Sequence, residues 1–295
     1  MLALLLRTVV FVEIVAIGFG WPALREHFHM AALPVAFLLF LAPVTLLLAG
    51  GYVISRIAAS APPAGLGGVT VAGIVTEWVY FVAVFAFIMP FARWWMGSDD
   101  VGRLTPARRP VLLVHGYMCN RAYWWWFRRK LRERGHAVAT ITLETPFSSI
   151  DHLAAELDRR IEALVAETGC DRVDIVSHSM GGLVTRAYMR MKGHRRIGRF
   201  VALAAPHHGT VLARLGLGAN ARQMQVGSAW LEDLNRAPLP PIPIVSIWST
   251  GDEVVAPQDS SQLAGAKEIV LPAMGHVAFA FSETVVDLVD AELAG

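Results

Sequence analysis

Apolar and polar positions alternate in two different regimes along this chain. In residues 1–96 they form three long apolar runs, roughly 8–24, 31–55 and 69–92, separated by WPALREHFH and RIAASAPPAGLGG. About 20 residues at a 1.5 Å rise cross a bilayer core, and the second and third runs reach that length comfortably. The pattern predicts about three transmembrane helices. Charged side chains in the region are confined to Arg7, Glu13, Arg25, Glu26, Arg56, Glu77 and Arg93. Glu13 and Glu77 would lie within hydrocarbon, where an ionisable group either serves function or holds a bundle together. Nothing else resembles a transport path, so they are expected to face each other, Arg7 or a water pocket. A cleavable leader ending at the A-S-A of 59–61 would be far longer than such leaders usually are.

From residue 111 the pattern changes to short apolar runs alternating with amphipathic stretches. Strands are predicted at 111–115, 137–143, 173–177, 199–204, 243–249 and 268–271, with helices near 120–134, 150–168, 180–193 and 279–293. Strand and helix taking turns predicts a mainly parallel sheet covered on both faces, an α/β architecture. The polar stretch GSDDVGRLTPARRP, 97–110, reads as a linker. The expected organisation is a transmembrane helical region over 1–96, this linker, and a catalytic domain over 111–295.

Composition agrees with a membrane unit joined to a folded one. Of 295 residues, 55% are hydrophobic and 17% charged, with a mean hydropathy of +0.47. A formal charge of +2 suggests no strongly charged partner, and no nucleic-acid signature, Walker loop or zinc-type spacing occurs. Cys119 and Cys170 fall at opposite ends of parallel strands, too far apart to bridge. With three spans, Arg25, Arg93, Arg103, Arg108 and Arg109 would share one side against Arg7 and Arg56. That asymmetry, with Trp21, Trp94 and Trp95 at span ends, points to an inner-membrane protein with a cytoplasmic C-terminal domain.

Ligands of such sheets sit beyond the carboxyl ends of the strands, so chemistry is sought there. Ser179 in VSHSMGG directly follows a strand and opens a helix, the placement of a nucleophile elbow, although Ser177 replaces the usual first glycine. His276, after EIVLPAMG, is the only histidine beyond residue 208 and is the expected base. For the acid, Glu232, Asp233, Asp252, Glu253, Asp259 and Glu268 are available. Asp252 follows PIVSIW at a strand end and is preferred. Glu268 opens its strand at the wrong end, Glu253 and Asp259 remain substitutes, and Glu253 is expected to point to solvent. Oxyanion donors would be the N–H groups of Met180 and Tyr117, with Gly116 letting the chain turn under the substrate and His115 bracing the loop.

VLLVHGY, VSHSMGG, LAAPHHGT, STGDEVV and AMGHVAF, in this order, resemble bacterial lipases and esterases of the α/β-hydrolase superfamily, over about residues 108–295. The resemblance is to the small six-stranded type. It implies Ser179, Asp252 and His276 as a triad, Tyr117 and Met180 as oxyanion donors, and a strand-end loop carrying His207 and His208 as part of the pocket wall. Gly116, Tyr117, His207 and His208 are therefore expected at the substrate, the two histidines in a structural capacity. Residues 208–242 would form a short lid, and no metal or cofactor is implied. The aromatic run from Tyr123 to Phe127, followed by Arg128, Arg129, Lys130, Arg132 and Arg134, would either touch substrate and anionic lipid or pack between the two units. The expected activity is hydrolysis of lipid-like carboxylic esters at a membrane. The alternatives are acyl transfer, thioester or amide cleavage on the same residues, or a non-catalytic accessory role.

Overall fold

The computed structural model describes all residues except 60–68, 100, 103–108 and 295. Half of the expected linker, including Arg103 and Arg108, and part of the A-S-A site lie outside the described residues. Ten α-helices and six strands are described: α1 (Leu2–Phe28), α2 (Ala32–Ala58), α3 (Val71–Val82), α4 (Ala92–Met96), β1 (Val111–Val114), α5 (Trp125–Glu133), β2 (Val138–Thr140), α6 (Ile150–Thr168), β3 (Val173–His178), α7 (Met180–Lys192), β4 (Ile197–Leu203), α8 (Gly218–Gln223), α9 (Ala229–Arg236), β5 (Ile244–Ser249), β6 (Lys267–Leu271) and α10 (Glu283–Ala294).

All six strands are parallel, in the order β2-β1-β3-β4-β5-β6. Both faces of the sheet are covered, so side chains of alternate parity enter different cores. Val111, Leu113 and Val176 join one hydrophobic cluster, and Leu112, Val114 and Ile175 the other. This is why the strands read as unbroken apolar runs. Predicted and observed elements agree closely where local signals are strong. In α6 the Ser149 hydroxyl accepts from the His152 N–H at one end, and Gly169 takes the left-handed conformation (φ 76°) at the other.

The apolar region departs from expectation in three ways. First, among the described residues two separate stretches, not three, are long and apolar enough to cross a membrane: Leu2–Ala58 and Val71–Ile88. The first is α1 and α2 joined by a short 3-10 turn at His29–Ala31, where His29 adopts φ 45°, ψ −115°. Both ends of this pair return to the rest of the protein. A Cβ placed at Gly51 would stand 3.5 Å from the Glu253 carbonyl oxygen, while Arg7 and Arg93 line one cavity of about 560 Å³ together with Arg121 and Thr142. Arg25 lies instead beside His29 and Met30 at the turn. The arginine asymmetry that pointed to a cytoplasmic domain grouped Arg25 with Arg93 and opposed them to Arg7, so it loses its basis.

Second, the expected boundary is not a boundary in the core. Leu48, Phe81, Val84, Met89 and Met96 share one cluster with Tyr123, Trp124, Phe127, Val277 and Phe279. Asp99, placed by sequence in the linker, pairs with Arg121 at 3.0 Å and Arg128 at 3.1 Å and accepts from the Thr140 N–H. Arg128 also donates to the carbonyls of Met96 and Ser98.

Third, Glu77 meets neither Glu13 nor Arg7. It is fully buried against the segment following β6.

The aromatic run divides between two surroundings. Tyr123, Trp124 and Phe127 are core residues, Trp125 packs edge-on against Trp95 at 4.9 Å, and Trp126 lies under Lys130. Part of the basic end is paired within the protein. Lys130 and Arg134 pair with Glu283, and Arg134 with Asp287 as well, tying α5 to α10. Cys119 and Cys170 are buried free thiols.

Candidate active site

Beyond the carboxyl end of β3 the chain turns directly into α7, and Ser179 forms the turn with φ 56°, ψ −130°. A non-glycine residue at positive φ is strained and persists only where its surroundings dictate it. Here the surroundings are crowded backbone. A Cβ on Gly181 would stand 2.7 Å from the carbonyl oxygens of both Val114 and His115. At Gly182 one would lie 2.5 Å from the Ala205 side chain, and at Gly116 one would lie 2.8 Å from the Ser179 Cβ. The β3–α7 turn is therefore wedged against the loop after β1, at the point where strand order reverses and a crevice opens. Ser177 fits this packing fully buried, with no hydrogen-bond partner for its hydroxyl among the described residues.

Asp252 and His276 meet at the same end of the sheet. The His276 Nδ1–H donates to the Asp252 carboxylate at 2.7 Å, both side chains buried. The other Asp252 oxygen accepts from the N–H groups of Val254 and Val255, each at 2.8 Å, so the carboxylate cannot swing away. With Nδ1 protonated toward a carboxylate, Nε2 is left as the basic nitrogen. No hydrogen bond joins Ser179 Oγ to the imidazole in this conformation. The His178 ring, one residue before Ser179, lies 4.4 Å from the His276 ring between centroids.

Met180 is the first residue of α7, where an N–H has no intrahelical acceptor. The Tyr117 N–H likewise has no acceptor among the described residues. The Tyr117 hydroxyl reaches the 208–242 segment, donating to the Leu217 carbonyl and accepting from the Leu217 N–H, each at 2.8 Å.

Buried histidines pack beneath this rim. His115 donates from Nδ1 to the Gly116 carbonyl and accepts at Nε2 from the Leu143 N–H, which fixes a neutral tautomer. Burial lowers its pKa from 6.5 to about 4. His178 donates from Nε2 to the His276 carbonyl at 3.0 Å and stacks on Tyr123. Burial, and secondarily the neighbouring His276, hold it well below the usual histidine range. Sequence reasoning passed over His178, whose only signal was adjacency to Ser179. The His207 ring is fully buried next to Gly182, in keeping with a structural capacity, and His208 lies exposed beside Asn235 of α9.

Glu253 corrects a further expectation, because it is buried and not solvent-facing. Its Oε2 accepts from the His276 N–H at 3.1 Å. Burial first, then the nearby Glu77 and Asp252 carboxyls, push its pKa well above the carboxylate range. Glu268 lies at the opposite end of the sheet, accepting from Trp248 Nε1 and the Leu263 N–H.

A six-stranded parallel sheet with a serine elbow after β3 and an Asp–His pair in the loops after β5 and β6 defines the α/β-hydrolase fold. Residues 149–286 match the sequence model of the PGAP1-like alpha/beta domain family. Among solved structures, Bacillus licheniformis lipase BlEst2 is similar with a TM-score of 0.58 at 16% identity, over 64% of this chain and 93% of that one. Aspergillus fumigatus lipase B gives 0.60 at 20% identity, over 68% of this chain and 55% of that one. Phospholipase PlaB from Legionella pneumophila gives 0.52 at 15%, over 64% and 60%. The chain thus spans little more than half of the last two.

Two stability outcomes are expected from this packing. Gly181→Ala should cost about 2–3 kcal/mol, lowering Tm by roughly 5–10 °C. Ser177→Ala, which removes an unpartnered buried hydroxyl, should leave Tm unchanged or raise it. Thermal melts of both variants check this, and a tolerated Gly181→Ala would contradict the wedged turn. The buried histidines make stability pH-dependent. The unfolded chain takes up a proton at His115 near pH 6.5 that the folded protein refuses until about pH 4. Stability should therefore fall as pH drops through that window, by roughly 3 kcal/mol for this group alone. A Tm that is flat from pH 6.5 to 4 would be incompatible with a neutral buried His115.

Proposed function

We propose that this protein is a membrane-anchored serine hydrolase acting on lipid-like carboxylic esters. The observation that supports this reading is Ser179 at positive φ directly after β3, with the buried Asp252–His276 pair at the same end of the sheet and the ring of the preceding residue, His178, 4.4 Å from that of His276. In the proposed reaction His276 Nε2 takes the Ser179 proton as Oγ attacks the ester carbonyl. The Met180 and Tyr117 N–H groups stabilise the oxyanion, and Asp252 holds the imidazolium that forms. His276 then returns the proton to the departing alcohol, and water releases the acyl group by the same steps. The absent Ser179–His276 hydrogen bond is no obstacle, since such bonds often tighten only when substrate arrives.

Anchoring is supported by the outer surface of the apolar region. Phe11, Phe19, Leu33, Leu38, Leu46 and Ile57 are all largely exposed, and an uncovered apolar surface of this extent demands lipid or protein cover. Leu215 and Leu217, exposed on the 208–242 segment next to Tyr117, extend apolar surface toward the site. That supports a substrate with an acyl chain.

Ser179→Ala should abolish hydrolysis of short p-nitrophenyl esters and labelling by a fluorophosphonate with the fold intact, and Asp252→Asn should lower kcat by about 10³–10⁴-fold. Comparable turnover in the serine variant would remove the assignment. The full chain should resist extraction from membranes by alkaline carbonate and require detergent. Release into the wash would contradict the anchor.

A further inference from the structure

The hydrogen-bond donors just after His276 in the chain are satisfied from outside the sheet. The 3-10 turn Val277–Phe281 has His276 as its N-cap, so the N–H groups of its first residues have no partner within the turn. Glu77, on α3, accepts from both: Oε1 from the Val277 N–H at 2.5 Å and Oε2 from the Ala278 N–H at 2.9 Å. Glu253 accepts from the His276 N–H itself, and its remaining oxygen is buried, with Glu77 as its neighbouring polar group. Two carboxyl groups thus collect three successive N–H groups beginning at His276.

The geometry also assigns the proton. Both Glu77 oxygens accept N–H groups, the pattern that suits a carboxylate. Glu253 Oε1 is buried and without a hydrogen-bond partner among the described residues, so it is free to carry a hydrogen for which Glu77 is the neighbouring acceptor. Gly275 records how tightly this is built, since a Cβ there would lie 2.5 Å from the Glu77 carboxyl carbon. Tyr80 of the same helix stacks on Phe281 at 4.8 Å, closing the other end of the turn.

We propose that Glu77, carried by an apolar helix outside the hydrolase sheet, is a positioning residue that holds His276 in register with Ser179 through a shared-proton pair with Glu253. The inference rests on the reading of His276 as the general base. It makes α3 a structural part of the active site and not only an anchor. Glu77→Gln would place an amide N–H against backbone N–H groups and release the turn, while substrate contacts would be untouched.

The test uses the full chain in detergent micelles with a short p-nitrophenyl ester, together with amide hydrogen exchange at residues 276–278. Glu77→Gln should lower kcat at least about tenfold with KM within about twofold, because misplacing a base costs turnover before binding. Exchange at 276–278 should rise in parallel. Glu253→Ala should do the same with Glu77 still present, which keeps the test decisive if Glu77→Gln does not fold. Glu253→Gln, which retains a donor toward Glu77 and an acceptor for His276, should recover kcat to within about threefold of the native enzyme. Unchanged kcat in Glu77→Gln or Glu253→Ala, or faster exchange with kcat intact, would overturn the proposal, as would a Glu253→Gln loss as large as that of Glu253→Ala. An inactive native protein would instead sink the hydrolase reading, and this inference with it.

Discussion

Ser179 stands above the sheet because two backbone segments meet there with no room for side chains. The turn out of β3 presses Gly181 onto the carbonyls of Val114 and His115, while Gly116 of the β1 loop presses back onto the serine itself. The remaining geometry depends on this contact. It holds the serine in a strained conformation and brings the β1 and β3 loops to the crevice where strand order reverses. The β5 and β6 loops deliver Asp252 and His276 to the same edge, because in a parallel sheet all carboxyl ends point one way.

Below that edge the polar groups are arranged to remain neutral or paired. His115 and His178 spend ring nitrogens on backbone partners and are kept uncharged by burial. The side-chain partner of the His276 ring is Asp252, which is itself satisfied by two N–H groups. A further carboxyl charge so close would be costly, and burial with the neighbouring carboxyls raises the pKa of Glu253 accordingly.

The apolar region takes part in this arrangement. Its inner residues belong to the same core as the sheet, and its outer residues remain uncovered. A helix with one side in a protein core and the other open to lipid joins the two environments. On the proposed function, it would place the crevice close to the surface that a lipid-like ester would leave.

Much of this was legible locally. The strands were readable because residues buried on both faces of a parallel sheet give unbroken apolar runs, and α6 because Ser149 and Gly169 mark its ends. Ser179, Asp252 and His276 were singled out as candidates from their positions just past the carboxyl ends of strands. The roles of Glu77 and Glu253 were not readable, since each depends on which distant segment covers it. Hydropathy placed Glu77 in a membrane run, but it cannot show that the helix turns that side toward N–H groups about two hundred positions away. Likewise the apolar runs predicted helices correctly, while the reversal at His29, and with it the side on which Arg7 and Arg25 fall, was decided only when α1 and α2 packed back onto the sheet. Sequence determined the elements and the residue types able to do chemistry. Tertiary packing decided which polar groups would meet, because hydrogen bonds between segments carry no periodicity along the chain.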